Sequence, residues 1–399
     1  MPAPSITVCD PIVSGFEHVP ANSSLLTTIR YAYPESAIAF HGDAAHLDLV
    51  RNQVDVAIRE SISWVVIKYP ERQASFRRRF VTDFRRMLLL LKSTAHEPES
   101  AILFLTFGNA SVMWSLKLLL AARFGRSKVQ IVLHGDFATL RFRTSMKLVV
   151  NPLYQLSCFK TAVRFGTTGR IQYVVLEAAV RDAVVSKYPR LAGRFKVLEH
   201  PVPGDDATIV ENDLSRPLRF GFLGRSTEAK GFHRYLDVAT TIGERFPGQA
   251  VFSFVGFLGP GQNEETLPGL NALEYRPTTE KLDRAEYVRR VNELHYICMF
   301  YEKQYELTAS GVLLDAIERE KPLITSNLPL FKNIADRFPD FAHVCDADVY
   351  VATIATILTN FDRDDYTKRV EAIRAVKQSR SPQVLAGVYR NLVAELRGS

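Results

Sequence analysis

Residues 218–255 place an apolar strand, a polar loop and an amphipathic helix in direct succession before a second apolar strand. Gly224 and Arg225 end the first strand, and Lys230 and Gly231 precede the helix. This order is typical of an open parallel sheet, where ligands bind at the carboxyl ends of strands and a helix N-terminus favours negative charge. The pattern predicts an anion site in which Arg225 and Lys230 hold a diphosphate. On its own, it fits a surface loop with two solvated cations equally well.

The alternation of strands and helices continues along the whole chain. Each interior strand is a short apolar run, as expected when helices cover both faces of a parallel sheet. The predicted strands of the first half are Ser5–Cys9, Ala37–Phe40, Trp64–Ile67, Ala101–Thr106, Val129–Leu133, Gln172–Leu176 and Lys196–Glu199. A length of 399 residues favours two domains over one core.

A polar, acidic stretch with several prolines separates the two halves. We therefore predict a Rossmann-like N-terminal domain over residues 1–203 and a hinge over 204–217. A second Rossmann-like domain is expected over 218–364, and C-terminal helices over 365–399 complete the chain.

A second block, YEKQYELTASGVLLDAIEREKPLITSN, follows at residues 301–327. Together the two blocks resemble the C-terminal domain of GT-B glycosyltransferases of the family 4 type, in the right order and spacing over roughly residues 134–330. The resemblance implies an α/β fold with two Rossmann-like domains facing a central cleft, an N-terminal acceptor domain and a C-terminal nucleotide-sugar domain. It also implies that a terminal helix crosses back to the N-terminal domain.

The resemblance assigns the donor side residue by residue. Arg225 and Lys230 match the pair that holds the donor pyrophosphate, and Asp315 stands where the second glutamate of the family's Glu-x7-Glu pair contacts the ribose. Leu307 occupies the position of the first acid, with Glu306 and Glu302 nearby, so retention or inversion of stereochemistry stays open. The expected donor-binding residues are Gly15, Gly224, Arg225, Lys230, Glu306, Ser310, Gly311 and Asp315.

On the first domain the candidates lie at strand ends. His134 and Asp136 stand in a His-Gly-Asp segment that resembles the family's His-Gly element. His134 is expected to hydrogen-bond the donor sugar and Asp136 to steer or deprotonate the acceptor, which makes them catalytic with Arg225 and Lys230. His18 and Asn22 are expected on the acceptor side. Asp10 is a second candidate base.

Positive charge is concentrated in the first half of the chain. Residues 1–200 hold 26 Lys and Arg against 15 Asp and Glu, whereas residues 201–399 hold 24 against 28. Residues 68–92 form a basic amphipathic helix pattern whose aromatic face is flanked by Arg77, Arg78, Arg85 and Arg86. This pattern favours contact with an anionic membrane surface and also fits a core-facing helix with solvated arginines. No nucleic-acid-binding module accompanies the charge.

Other features of the sequence favour a cytoplasmic protein, with peripheral contact at the inner face of the membrane. No apolar run approaches the ~20 residues that span a bilayer, and the N-terminal residues show no export signal. The four cysteines are scattered without a CxxC pair, and no metal-site spacing is present. We expect no metal and no cofactor, with a UDP- or GDP-linked sugar as substrate.

The resemblance to GT-B glycosyltransferases implies an enzyme that moves a sugar from a nucleoside diphosphate sugar to an acceptor hydroxyl. The basic helix favours a lipid-linked or polysaccharide acceptor. Two alternatives stay open. One is another GT-B enzyme, such as a nucleotide-sugar epimerase or a phosphorylase. The other is a non-catalytic GT-B-like protein that binds membranes or partners.

Overall fold

The structure of the protein is a computed structural model that describes residues 4–13, 15, 18–67, 76–93, 101–122, 128–133, 158–164, 169–202, 213–259, 261–262 and 267–398. Contacts divide the chain into two compact units. Unit 1 comprises Met1–Gly204, Leu307–Ala309 and Arg380–Ser399, and unit 2 comprises Asp205–Glu306 and Ser310–Ser379. The predicted hinge lies largely outside the described residues, and the predicted domain bounds stay a prediction.

Unit 1 is built on a parallel sheet. Its seven described strands are β1 (Ile6–Cys9), β2 (Ile38–Gly42), β3 (Ile62–Val66), β4 (Ile102–Leu105), β5 (Lys128–Leu133), β6 (Ile171–Val175) and β7 (Phe195–Val197). They pair in the order β3-β2-β1-β4-β5-β6-β7. Each overlaps a strand predicted from the sequence, because a short apolar run between polar loops is a strong strand signal when both faces are buried.

Helices pack on this sheet. Those described in the first part of the chain are α1 (Val19–Ala32), α2 (Ala44–Gln53), α3 (Val56–Glu60), α4 (Phe76–Ser93), α5 (Ala110–Ala121), α6 (Phe159–Arg164) and α7 (Ala178–Lys187). Side chains that alternate along β4 enter two separate cores: Leu103 and Leu105 join one cluster, and Ile102 and Phe104 the other. Apolar cores therefore lie on both faces of the sheet.

Helix α4 is the described part of the predicted basic helix. Met87 and Leu91 are buried, and Phe76, Phe84 and Leu88 pack against the same core cluster. The predicted apolar face is therefore confirmed, and most of it is covered by unit 1 itself. Among the described residues, no helix has the length and hydropathy to cross a membrane.

Unit 2 contains a second parallel sheet with helices. Its described strands are β8 (Leu218–Arg225), β9 (Ala250–Phe257), β10 (Tyr296–Met299), β11 (Leu323–Ser326) and β12 (Ala342–Cys345), in the order β12-β11-β10-β8-β9. Its helices are α8 (Phe232–Arg245), α9 (Arg284–Asn292), α10 (Gly311–Glu318), α11 (Pro329–Arg337), α12 (Tyr350–Thr359) and α13 (Arg363–Ser379). Phe220, Phe222 and Phe254 contribute to an aromatic core beneath α8, in which the buried Tyr235 hydroxyl lies 2.9 Å from the carbonyl of Phe220.

The last helix, α14 (Pro382–Gly398), belongs to unit 1. Tyr389 is fully buried there and lies edge-on to Phe104, with ring centroids 5.7 Å apart. Just before the helix, Arg380 donates two hydrogen bonds of 2.8 and 2.9 Å to the carboxylate of Glu177. A bidentate pair of this kind fixes the start of α14 on unit 1. Helix α13, also expected among the C-terminal helices, groups with unit 2.

Each sheet has one point at which the order of its strands reverses. In unit 1 it lies between β1 and β4, and in unit 2 between β8 and β10. Loops that leave neighbouring strands at such a point turn to opposite faces of the sheet and open a crevice at the carboxyl ends, where α/β proteins bind ligands. The two reversal points are therefore the expected ligand-binding positions of the two units.

Candidate functional site

Two glycines shape the loop that leaves β8. Both lie in the left-handed region, Gly224 with φ +86° and Gly231 with φ +72°. A Cβ at position 231 would lie 1.9 Å from the carbonyl oxygen of Phe300, and one at 224 would lie 3.0 Å from Nζ of Lys230. Only glycine meets both the backbone conformation and the close approach, so the loop folds back and brings Lys230 beside the end of β8.

Arg225 and Lys230 therefore stand together at the reversal point of unit 2. Arg225 is exposed and lies over the ring of Phe257 at 5.4 Å, while Lys230 is half-buried. Burial lowers the pKa of Lys230 to about 8; Asp315 acts to raise it and Arg225 to lower it. Two cations close enough to repel each other favour a ligand that carries at least two negative charges.

A cavity of about 310 Å³ lies next to Arg225. Its wall consists of Arg225, Phe257, Leu258, Gly259, Gln262 and Thr279. The backbone N–H of Gly259 donates to Ser226 Oγ at 2.8 Å and to Gln262 Oε1 at 3.0 Å, which fixes this wall. The volume is at the lower end of the range of small-ligand pockets.

The carboxylate of Asp315 is held by two residues of α9 that the sequence analysis did not single out. Arg284 Nη1 donates to Oδ1 at 3.3 Å, and the Tyr287 hydroxyl donates to Oδ2 at 2.8 Å. Burial and the Asp315 charge raise the pKa of Tyr287 well above its usual value, so its hydroxyl remains a donor. The Asp315 side chain keeps 24% of its surface exposed. No motif signals Arg284 or Tyr287, because their role depends on the packing of α9 against α10.

The remaining donor candidates of unit 2 lie at or shortly before the start of α10. Ser310 is buried and caps this helix, since its Oγ accepts from the N–H of Leu313 at 3.2 Å and bonds to the Tyr301 hydroxyl at 2.8 Å. Gly311 begins the helix beside open space. Glu306 is half-buried, and Glu302 forms an ion pair with Arg234. The Ser310 side chain is therefore engaged within the protein, at the cap of α10.

A buried carboxylate marks the reversal point of unit 1. Asp10, which follows β1, accepts hydrogen bonds from the N–H of Ile12 at 3.2 Å and of Val13 at 3.0 Å. Asn22 Nδ2 donates to it at 2.8 Å, and Thr106 Oγ1, just after β4, donates at 3.1 Å. Burial alone would raise the pKa of Asp10, but the nearby His18 ring, 3.8 Å away, and hydrogen bonds from Asn22 and Val13 outweigh burial and lower it below its usual range. Asp10 is therefore a saturated anion, which contradicts its candidacy as a base.

Asn22 is likewise a supporting residue. It is 1% exposed, and its Nδ2 contacts both Asp10 and Nε2 of His46, each at 2.8 Å. His46 Nδ1 in turn lies 2.8 Å from the carbonyl of Gly15. The Asn22 amide is therefore buried and engaged, and its acceptor-side role stays a prediction. Gly15 has φ +69° and a carbonyl tied to His46. His18 keeps 27% of its side chain exposed.

Two further predictions concern unit 1. His134 and Asp136, predicted as catalytic, lie outside the described residues. On α4, Arg77, Arg78 and Arg85 are exposed, whereas Arg86 is 7% exposed and donates to the carbonyl of Pro11 at 2.6 Å. Arg86 therefore does not belong to a membrane-facing surface. Among the described residues, no group of three His, Cys, Asp or Glu side chains could hold a metal ion.

Comparison with known proteins identifies the architecture. No family model and no curated protein matches the sequence. A glycosyltransferase from Rickettsia africae matches with a TM-score of 0.68 and 12% identity, over 98% of both chains. A UDP-forming α,α-trehalose-phosphate synthase from Burkholderia vietnamiensis matches with 0.63 and 11%, over 99% of this chain and all of that one. Anabaena HepE in complex with UDP and glucose matches with 0.63 and 14%, over 98% and 99%.

The chain has the GT-B fold. This confirms the fold class and the resemblance drawn from the two sequence blocks. Within this fold the structure brings Gly224, Arg225 and Lys230 together at one reversal point, near the charge of Asp315. It collects Asp10, Asn22, Gly15 and His18 at the other. The GT-B sequence pattern contained no signal for His46, Thr106, Arg284 or Tyr287. All four are far in sequence from the residues they contact.

Proposed function

We propose that the protein is a glycosyltransferase that moves a sugar from a nucleoside diphosphate sugar to an acceptor hydroxyl. The observation that carries this proposal is the pair Arg225 and Lys230 at the strand-order reversal of unit 2, set by two left-handed glycines. A guanidinium and an ammonium stabilise a diphosphate as it leaves, since the charge on the leaving group grows while the glycosidic bond breaks. The GT-B fold adds support, because the similar structures include glycosyltransferases and proteins bound to UDP.

The nucleoside would lie beside this pair. The cavity next to Arg225 offers the aromatic face of Phe257 and the polar side chains of Gln262 and Thr279. Asp315, held by Arg284 and Tyr287, keeps part of its side chain exposed and would accept a hydrogen bond from a ribose hydroxyl. Backbone amides at Gly311 would complete the contacts to the diphosphate. We propose no metal or further cofactor for the transfer.

Binding of nucleotides tests the proposal directly. Thermal unfolding is measured with UDP, GDP, ADP, TDP and CMP on the wild type and on the double variant Arg225→Ala/Lys230→Ala. A ligand at ~100 times its Kd stabilises the folded state by about 2.7 kcal/mol. We expect a shift with one diphosphate in the wild type and none in the variant. The control Arg245→Ala/Lys332→Ala removes two exposed cations elsewhere in unit 2 and should keep the shift.

Turnover separates the alternatives. Release of nucleoside diphosphate from the matching nucleotide sugar, with sugar transferred to an added acceptor, is expected of a transferase. An epimerase or phosphorylase would not need the acceptor. Nucleotide binding without any turnover would favour a binding protein, and no binding at all would refute the diphosphate site.

We further propose that the acceptor is met at an anionic membrane surface, as a lipid-linked or polysaccharide chain. The exposed face of α4 supports this: besides Arg77, Arg78 and Arg85, it presents Val81 at 49% and Leu89 at 68% exposure. Basic residues near an anionic surface contribute about 1 kcal/mol each, and exposed apolar side chains can enter the interface.

Sedimentation with vesicles checks the membrane proposal. The wild type should bind phosphatidylcholine vesicles that contain phosphatidylglycerol and not pure phosphatidylcholine. Arg85→Glu/Leu89→Asp should lose this binding. Val56→Asp, which changes a 57% exposed residue on α3, should keep it. Equal binding of both vesicle types, or no effect of the α4 variant, would refute this surface.

A further inference from the structure

The cavity beside Arg225 contains a side-chain amide whose direction is set by the protein. Gln262 lines this cavity, and its Oε1 accepts hydrogen bonds from the N–H of Gly259 at 3.0 Å and from the Ser226 hydroxyl. A backbone N–H can only donate, so the amide atom beside Gly259 must be the oxygen. Both lone pairs of Oε1 are then in use, and Nε2 with its two hydrogens is the end of the amide left for a ligand.

The surrounding backbone holds this amide in place. Ser226 follows β8 and has no exposed surface, and its N–H donates to the carbonyl of Phe257 at 3.0 Å. Its Oγ accepts from the N–H of Gly259 at 2.8 Å. A Cβ at position 259 would lie 2.3 Å from the Ser226 carbonyl oxygen, so only glycine allows this approach. The N–H of Gln262 donates to the carbonyl of Gly259 at 3.2 Å, and Gln262 is therefore arranged before any ligand binds.

The polar side chains around the cavity are mostly hydrogen-bond donors. No described residue accepts a hydrogen bond from Gln262 Nε2. Arg225 can only donate, and Thr279 can donate or accept. Lys281, another donor, lies 5.7 Å from the centre of the Phe257 ring that forms part of the wall. None of the described lining residues carries a carboxylate. The cavity therefore favours a ligand edge that accepts hydrogen bonds over one that carries an amino group.

We propose that the donor nucleotide carries uracil, and that Gln262 selects this base by donating from Nε2 to its O4 carbonyl oxygen. The inference rests on the glycosyltransferase function proposed above and names the base that its site takes. Asp315, the proposed ribose contact, is not among the described lining residues, so the edge of the base away from the ribose, which carries O4, is expected to enter the cavity. Cytosine has nearly the same shape but carries an amino group in place of O4. The hydrogens of that amino group would face those of Nε2.

Purine bases match these groups less well. Adenine presents an amino group on the corresponding edge. Guanine offers O6, but its ring N–H and its amino group both donate and need acceptors such as a carboxylate, which the described lining lacks. A site built to bond one group of a ligand rejects analogues that leave buried polar groups unpaired. UDP is therefore expected to bind more tightly than CDP, ADP or GDP.

Titration calorimetry with UDP and CDP measures the selection, because the two ligands differ only at the edge of the base that Gln262 contacts. The wild type should bind UDP about tenfold more tightly than CDP, or better. Gln262→Leu removes the donor and should bring the ratio of the two affinities close to one. Gln262→Glu still accepts from Ser226 and Gly259 but places a carboxylate oxygen where Nε2 stood, so CDP should become the tighter ligand. Its added charge weakens both ligands alike and cancels in the ratio.

Two further variants separate selection from structure. Gln249→Glu makes the same substitution just before β9, at the end of the strand opposite to the cavity, where the glutamine accepts from Arg216. It should leave the ratio of UDP to CDP affinity unchanged. Ser226→Ala removes one of the two donors to Gln262 Oε1, so Ser226 is a positioning residue and the ratio should fall part of the way. Thermal unfolding without ligand verifies that each variant is folded.

The outcomes distinguish this inference from the proposed function. Equal affinities of the wild type for UDP and CDP, or tighter binding of GDP or ADP than of UDP, would refute the choice of uracil. A Gln262→Glu variant that keeps the wild-type ratio would refute the role of Gln262. A wild type that binds none of the nucleoside diphosphates would instead refute the diphosphate site, and this inference with it.

Discussion

The two reversal points hold their polar groups in opposite ways. In unit 2, an exposed and a half-buried cation repel each other, and the backbone of two glycines sets their positions. In unit 1, a fully buried anion accepts hydrogen bonds from four donors. The first arrangement gains stability when an anionic ligand arrives, whereas the second is complete without one. We therefore expect the Arg225 and Lys230 cations to contact a ligand. The Asp10 carboxylate, whose hydrogen bonds are already formed, is expected to hold neighbouring residues in place.

The comparison implies that the backbone of the unit 2 loop, rather than its cations, is needed for folding. Gly231→Ala places a Cβ 1.9 Å from the Phe300 carbonyl in a left-handed conformation. We expect it to lower the free energy of unfolding of unit 2 by at least about 3 kcal/mol. Chemical unfolding followed by circular dichroism measures the loss.

Gly243→Ala is the control for that change. Gly243 lies in α8, and a Cβ there would meet nothing within 4 Å. In a helix interior this substitution should stabilise by about 0.5–1 kcal/mol. Equal effects of the two variants would show that the loop can move away from Phe300, and that the glycine is not what places Lys230.

The next largest effect should come from the anion of unit 1. Asp10→Ala leaves Asn22, Thr106 and two backbone N–H groups without their acceptor, which should cost about 3 kcal/mol of unfolding free energy. Because the folded pKa of Asp10 lies below the unfolded value of 3.8, its charge stabilises the fold above pH 3.8, and this contribution is lost as pH falls further.

The difference between wild type and Asp10→Ala should therefore shrink in acid. Arg225→Ala, which removes an exposed cation and its contact with Phe257, should change stability by less than about 1 kcal/mol, in acid as at neutral pH. If Arg225→Ala proved as damaging as Asp10→Ala, the contrast between a contact surface and its support would be wrong.

The same contrast explains what the sequence could predict. Arg225 and Lys230 stand within one strand–loop–helix unit, so a local pattern identifies them. The strands of unit 1 were predictable for a similar reason, since each is a short apolar run. The Asp10 network joins residues up to 96 positions apart. Nothing in the sequence around Asn22 indicates that both hydrogens of its side-chain amide form hydrogen bonds. Likewise, Arg86 is buried where it donates to the carbonyl of Pro11. The residue pattern of α4 alone cannot predict this contact, because Pro11 lies 75 positions away in the sequence.

Binding of a diphosphate at unit 2 should depend on pH through Lys230. Burial lowers the pKa of Lys230 to about 8, so its ammonium is largely present at pH 7 and largely lost at pH 9. The affinity for the nucleoside diphosphate should therefore fall by about tenfold between these pH values. Titration calorimetry at each pH measures it. Lys230→Arg stays charged throughout, and its affinity should be nearly independent of pH over this range. A wild-type affinity that did not change would remove Lys230 from the diphosphate contact.

The smallest effect concerns the ring beside Arg225. Phe257 lies under Arg225 at 5.4 Å and Lys281 at 5.7 Å, and such contacts contribute about 0.5–1 kcal/mol each at exposed sites. Phe257→Leu keeps an apolar side chain but removes the aromatic face, so nucleotide affinity should weaken by about two- to fivefold while unfolding changes little. Phe361→Leu alters a partly buried aromatic residue of the unit 2 core away from the cavity and should leave the affinity unchanged. A loss of affinity in Phe257→Leu as large as in Arg225→Ala would mean that the ring contacts the nucleotide itself. Aromatic stacking would then contribute to binding alongside the two cations.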